Sequence, residues 1–198
     1  EHSPIVMLLH SILGTGTNTF AMTADKIDTL RGHLTPSEWT HVEAFPSVLR
    51  LLYNLPLRRE LREQRHRLDR LEHIDLHRVI DNAPIRLSAE DLWVQLNFQL
   101  IHLVDFLPIA NWGTHANDTA FIVFRDLHDL LLSTGRLTAL VQTDPVGPRG
   151  LERETLHGLR ARLATHIPLS ISEQMAARSV RRFSEQVGHS LDYTLTWT

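Results

Sequence analysis

Between Leu92 and Ile109 twelve of eighteen residues are apolar, Trp93, Phe98 and Phe106 among them. A helix with so little polar surface is buried on most sides, so the other elements have to be arranged around it. Its polar residues are ordered: Gln95, Gln99 and His102 share one line at four- and three-residue spacing, with Asp105 beside it. A second apolar pattern, Phe121 to Leu132, follows the short segment 111–117, and such a connection makes the two helices an antiparallel hairpin. Pairing the hairpin about its midpoint sets Asp105 near Arg125, and His102 near His128 and Asp129.

Helix starts are marked elsewhere. Thr35-Pro36-Ser37-Glu38 offers a hydroxyl at N-cap, proline at the first helical position and a carboxylate three residues on. Ser170-Ile171-Ser172-Glu173 repeats the capping box, and Thr23, Ser88 and Asp118 precede apolar helical patterns. Gly135 closes the leucine run, and Pro145, Gly147, Pro148 and Gly150 make a flexible connection. The spacing predicts helices near 5–13, 23–32, 36–53, 57–80, 88–111, 118–133, 151–165 and 171–188, with Pro46 and Pro108 kinking or bounding theirs.

The expected fold class is therefore all-α: a bundle of seven or eight helices around the apolar hairpin, ending in a short extended tail. Residues 1–198 form a single helical domain, with a sub-boundary at 144–150. In the tail Leu191, Tyr193, Leu195 and Trp197 alternate with polar residues, the period of a strand. The plain account is an ordinary ordered or frayed tail; otherwise a strand without a partner in an all-α fold runs across a groove or docks on a neighbouring molecule, so removing 191–198 is expected to alter association more than stability.

The 57–80 segment carries a narrow seam of Leu57, Leu61, Leu68, Leu71 and Val79, suited to packing on one neighbour. Around it lie Arg58, Arg59, Arg62, Arg65, Arg67 and Arg70, interleaved with Glu60, Glu63, Asp69 and Glu72. The plain account of these charges is a solvated face; Arg58, Arg62 and Arg65 are its candidate interaction residues, and phosphates would be repelled by the interleaved carboxylates.

A net charge of −3 with 22% charged residues argues against a surface built to coat nucleic acid, which stays a weakly supported partner. The absence of cysteine removes disulfides, thiolate metal sites and a thiol nucleophile. There is one lysine, Lys26, against thirteen histidines, a codon-type bias that lowers the weight of any single histidine and points toward a viral source or a compositionally skewed microbe. No apolar run is long enough to span a membrane, so a soluble, intracellular location is expected with the compartment unassigned.

Chemical motifs are sparse. Gly14-Thr15-Gly16-Thr17-Asn18-Thr19 lacks the Gly-Lys of a phosphate loop, and no Gly-x-Ser-x-Gly elbow occurs. His73 and His77 share a face if helical, but Ile74 stands where a metalloprotease has glutamate. His102, Asp105, His128 and Asp129 are the alternative metal set; their pattern loosely resembles that of the histidine–aspartate hydrolases, which implies metal-dependent phosphohydrolysis on the 88–133 hairpin. The plainer account is an Asp105–Arg125 ion pair with His102 bonded beside it. A third reading is a small-molecule pocket under Trp93, Phe98 and Phe121.

Packing features outnumber chemical ones. The expectation is a non-enzymatic helical interaction or assembly domain that self-associates or binds another protein, without metal or cofactor. Phe45-Pro46-Ser47-Val48 and the apolar hairpin after it are similar to an arrangement in the core proteins of hepatitis-B-type viruses, which implies a capsid-type structural role. That likeness is four contiguous residues and an arrangement, lacks an arginine-rich tail and assigns no family.

Overall fold

The computed structural model describes residues 2–14, 20–106, 119–139 and 168–198. The helix expected at 151–165, the 144–150 connection and the hairpin turn 111–117 lie outside them, as do Pro108 and Asp118. Helices dominate, but a three-stranded antiparallel sheet makes the fold mixed α/β, not the all-α bundle expected from periodicity.

In chain order come α1 (Ile5–Leu9), a 3-10 turn (Ala24–Lys26) leading into α2 (Ile27–Gly32), α3 (Pro36–Asn54), α4 (Pro56–Glu63) and a 3-10 segment (Arg65–Arg70). After them follow β1 (Leu71–His77), β2 (Pro84–Ser88), α5 (Ala89–Phe106), α6 (Thr119–Ser133), α7 (Leu169–Gln186) and β3 (Thr194–Trp197).

Two capping expectations hold. The Glu38 amide donates to Thr35 Oγ1 at 3.3 Å while the Thr35 amide donates to Glu38 Oε2 at 2.9 Å. The Asp91 amide donates to Ser88 Oγ at 3.0 Å. Gly135, at φ 69°, ends the leucine run as expected. The second capping box does not form: α7 starts at Leu169 behind Pro168, so Ser170 lies inside the helix and Glu173 bonds Arg58 instead. Pro46 sits within α3 without ending it.

The main departure is the expected 57–80 helix. It stops at Glu63, and residues 71–77 become a strand paired with 84–88, Ile74 opposite Leu87 and Leu76 opposite Ile85. Leu71 and Val79 fit the helical seam while Ile74 and Leu76 alternate as in a strand, with a register irregularity between Leu71 and His73, so spacing within the segment does not decide between the two. The partner decides. Pro84–Ser88 buries Ile85 and Leu87 and exposes the residues between. The turn before it has Asn82 at φ 58°, and Arg78 donates to Asp81 at 2.8 and 2.7 Å. Arg86 and Asp75 form a bidentate cross-strand pair at 2.7 and 2.9 Å.

The apolar helix is central as expected. Leu92, Leu96, Leu100 and Leu103 of α5 join Val123, Leu127 and Leu131 of α6, Leu57 and Leu61 of α4, Ile74 and Leu76 of β1 and Leu51 and Leu52 of α3 in one buried cluster. A smaller cluster of Val6, Phe45, Leu49 and Phe98 fixes α1.

The terminal strand also departs from expectation. It completes its own sheet, order β2-β1-β3, with Leu195 opposite Ile74 and Thr194 opposite Asp75. Leu191, Tyr193, Leu195 and Trp197 pack on the main cluster, and the Arg67 guanidinium lies 4.6 Å from the centroid of Trp197. Trp197→Ala is therefore expected to lower unfolding free energy by about 2 kcal/mol, from lost half-buried aromatic area and its cation–π contact. A denaturant titration checks it; an unchanged midpoint would mean the tail adds nothing to the fold.

Candidate interaction site

The descent from α7 into β3 builds a cleft. Gly188 takes φ 68°, which a glycine adopts without strain, and turns the chain off the helix. The turn drives His189 inward, where its Nε2–H donates to the His77 carbonyl at 2.9 Å. That bond leaves Nδ1 as the acceptor, 3.4 Å from Ser184 Oγ. Ser184 Oγ also accepts from Arg50 Nη1 at 3.0 Å, and Ser47 donates to the His77 carbonyl at 2.6 Å. One buried polar cluster thus joins α3, β1 and α7. Arg50 is 0% exposed, and burial pushes its guanidinium down to about 10, so it stays charged at neutral pH. Burial pushes His189 down to about 4, so its imidazole is neutral there.

Past His189 the Ser190 amide donates to Asn82 Oδ1 at 2.8 Å, and the Tyr193 hydroxyl crosses to Glu60 Oε2 at 2.8 Å. Between this segment, α7 and the junction of α3 with α4 lies a cleft of about 800 Å³, walled by Asn54, Pro56, Glu60, Arg181, Ser184, Glu185 and every residue from His189 to Leu195. Both faces of the extended segment contribute, so the cleft follows the backbone edge of the tail instead of lying under one face of the sheet. Its lining is mostly neutral, but three carboxylates, Glu60, Glu185 and Asp192, outnumber its one guanidinium, Arg181, whose Nε donates to Asn54 Oδ1 at 2.7 Å; Asp192 Oδ2 also accepts from Ser190 Oγ at 2.8 Å.

Of the residues singled out from sequence, Leu191, Tyr193 and Leu195 line this cleft, while Trp197 lies beyond it on the sheet. Arg58, Arg62 and Arg65 do not form one outward face. Arg58, 4% exposed, donates to Asp126 and, at 2.8 Å, to Glu173. Arg62, 58% exposed, reaches the same Asp126 at 3.0 Å, and Arg65 donates to Ser133 at 3.3 Å. Arg62, Arg65 and Asp129 share a recess of about 620 Å³ with Arg59 and Glu63, in which both signs of charge are present.

The polar line of α5 faces α3 and α1: Gln99 Nε2 donates to the Phe45 carbonyl at 2.9 Å, and the His102 ring lies 4.8 Å from His10 and 5.3 Å from Phe45 between centroids. His128 instead stacks on Phe124 at 6.0 Å, with Asp129 3.9 Å away and largely exposed. The Asp105 side chain lies outside the described residues, and Arg125 sits 3.8 Å from its neighbour Asp126. Among the described residues no three histidine, aspartate or glutamate side chains are grouped so as to hold a metal ion. His73 and His77, placed on β1, are about 13 Å apart along the strand, too far to share a metal.

The aromatics of the third reading separate. Trp93 lies under the Arg136 guanidinium, Phe98 belongs to the α1 cluster and Phe121 packs against Phe124. No described helix is long and apolar enough to cross a membrane.

Periodicity missed Arg50, Asp126, Ser184 and His189. Arg50 did carry a signal, a lone charge within Val48-Leu49-Arg50-Leu51-Leu52, and Asp126 another, lying between Phe124 and Leu127 on a buried helix. Comparison with models of protein families, with curated proteins and with solved structures finds no match to this chain.

Proposed function

We propose that this chain is a non-enzymatic interaction domain whose contact site is the outer edge of β3 with the adjoining cleft, where a partner's extended backbone adds to the sheet. One observation carries the reading: β3 is an edge strand, paired with β1 and, among the described residues, with no further strand on its other side. The Thr198 amide donates to the Arg70 carbonyl at 2.8 Å, so by the two-residue alternation Thr196 and Thr194 also bond inward while Leu195 and Trp197 present N–H and C=O outward. Edge strands are ordinarily blunted by lysine, proline or an inward charge, and Thr194-Leu195-Thr196-Trp197 has none of these.

Residue-resolved amide hydrogen exchange in dilute protein tests it. The Leu195 and Trp197 amides are expected to exchange at least about tenfold faster than those of Thr194 and Thr196, since only the latter pair is held by β1. Equal, slow exchange in a monomer would mean that the edge is already covered, and would overturn the reading.

A further inference from the structure

We propose that the segment added at β3 is an extended peptide bearing lysine or arginine side chains, which the carboxylates of the cleft receive. The inference rests on the edge-strand reading above and names the partner's chemistry. Strand addition supplies main-chain hydrogen bonds, here to Leu195 and Trp197, but no sequence preference; preference comes from where alternate side chains of the incoming strand fall. At the Thr194–Leu195 end of this edge they meet a cleft of about 800 Å³ with Glu60, Glu185 and Asp192 on its walls. The single guanidinium among them, Arg181, donates to the neutral Asn54 and keeps its charge, and Glu60 and Asp192 accept from the neutral hydroxyls of Tyr193 and Ser190 and keep theirs, so the wall carries two negative charges in excess. An incoming cation finds complementary charge there and an incoming carboxylate meets repulsion.

The same charges argue against a second copy of this chain as occupant. Paired edge to edge, each copy offers residues 189–198, which contain Asp192 but neither lysine nor arginine, so the carboxylates of both clefts would stay unmatched. A basic peptide from a different partner matches them.

The probe is a fluorescein-labelled hexapeptide, Lys-Val-Lys-Val-Lys-Val, titrated with the full chain at low salt and read by anisotropy. Its acidic analogue with glutamate for lysine, and a copy N-methylated at alternate amides, run in parallel, and light scattering follows the mass of the unliganded protein. The expected result is saturable binding of the basic peptide, loss of binding for the other two, and a Kd raised about tenfold in the Glu185→Gln/Asp192→Asn variant, the size expected for two partly exposed ion pairs. Each named carboxylate change lies on the surface, and circular dichroism of the variant checks that the fold is kept.

Equal binding of basic and acidic peptides would overturn the charge assignment and leave strand addition standing. Equal binding of the N-methylated copy would overturn strand addition as the mode. A concentration-dependent dimer that binds no peptide would make the second copy the occupant and overturn this proposal alone. A strict monomer that binds none of the three would remove both this proposal and the reading beneath it.

Discussion

Replacing Arg58 by methionine is expected to lower the unfolding free energy by about 3–5 kcal/mol, the largest single effect we anticipate in this chain. Asp126 is only 6% exposed, and Arg58 is its buried partner; without Arg58 the carboxylate keeps only partners that are themselves largely solvated, Arg62 at 3.0 Å and Arg125 at 3.8 Å. Glu173 on α7 loses a partner in the same step, so α4, α6 and α7 are loosened together. A buried carboxylate left with only solvent-screened partners, more than the loss of an attractive pair, sets the size of the effect. Arg58→Met/Asp126→Leu should therefore recover most of the loss, since an apolar pair of similar volume no longer leaves a buried charge. Chemical denaturation of the wild type, both single variants and the double variant closes the cycle. A double variant as unstable as the sum of the singles would refute the account. Were Arg58 held in place to bind phosphate groups, Arg58→Met would leave stability unchanged.

The second large effect is acid lability traced to His189. Its ordinary pKa of 6.5 falls to about 4, because burial penalises the imidazolium more than the His77 carbonyl stabilises it, with the Arg50 charge adding to the penalty. The unfolded chain thus binds a proton near pH 6.5 that the folded chain refuses until about pH 4. Stability from this group is fully present above pH 6.5 and is lost as pH falls through that window, by about 3 kcal/mol in all. His41 pulls in the same direction, its pKa lowered by burial against the opposing influence of Asp91. The carboxyls of Asp75 and Asp81, held low by Arg86 and Arg78, add their own loss only below the ordinary carboxylate range.

His189→Gln removes the titrating group. The variant should be less stable than wild type at pH 7.5 but clearly flatter between pH 6.5 and 4, as read by thermal midpoints at half-unit intervals. Parallel slopes for the two proteins would show that His189 is not the group responsible. Because His189 begins the wall of the cleft, acidification in this window is also expected to weaken peptide capture before the whole chain unfolds.

How much of this was legible in the sequence follows from the range of each interaction. Local rules placed what they govern: the capping box at Thr35 and Glu38, the Ser88 cap, the αL glycine at 135, and the apolar α5 around which everything else packs. The period of two in Leu191–Trp197 was legible as well, because alternation survives whether or not the partner is known. What could not be read was the partner. Leu71–His77 fits a helix as a solitary stretch, and only the second strand, Pro84–Ser88, turned back by Asn82, provides the hydrogen bonds that make it a strand. Once β1 exists, the tail has an edge to join, and the expectation of an unpartnered strand reaching for a neighbour fails for the same reason.

By itself, then, the sequence determined the helix starts at Thr35 and Ser88, which helix must be central, and that the last residues are extended. Only the tertiary structure decided which charges meet, since Arg58 finds Asp126 across 68 positions and Arg50 finds Ser184 across 134. Ion pairs and buried hydrogen bonds are selected by proximity in space, and any of the many arginines and acids of this chain could have been matched on paper. Backbone propensity acts within a few residues, and its outcome is written locally; side-chain pairing acts across the closed core and is fixed only when the core closes.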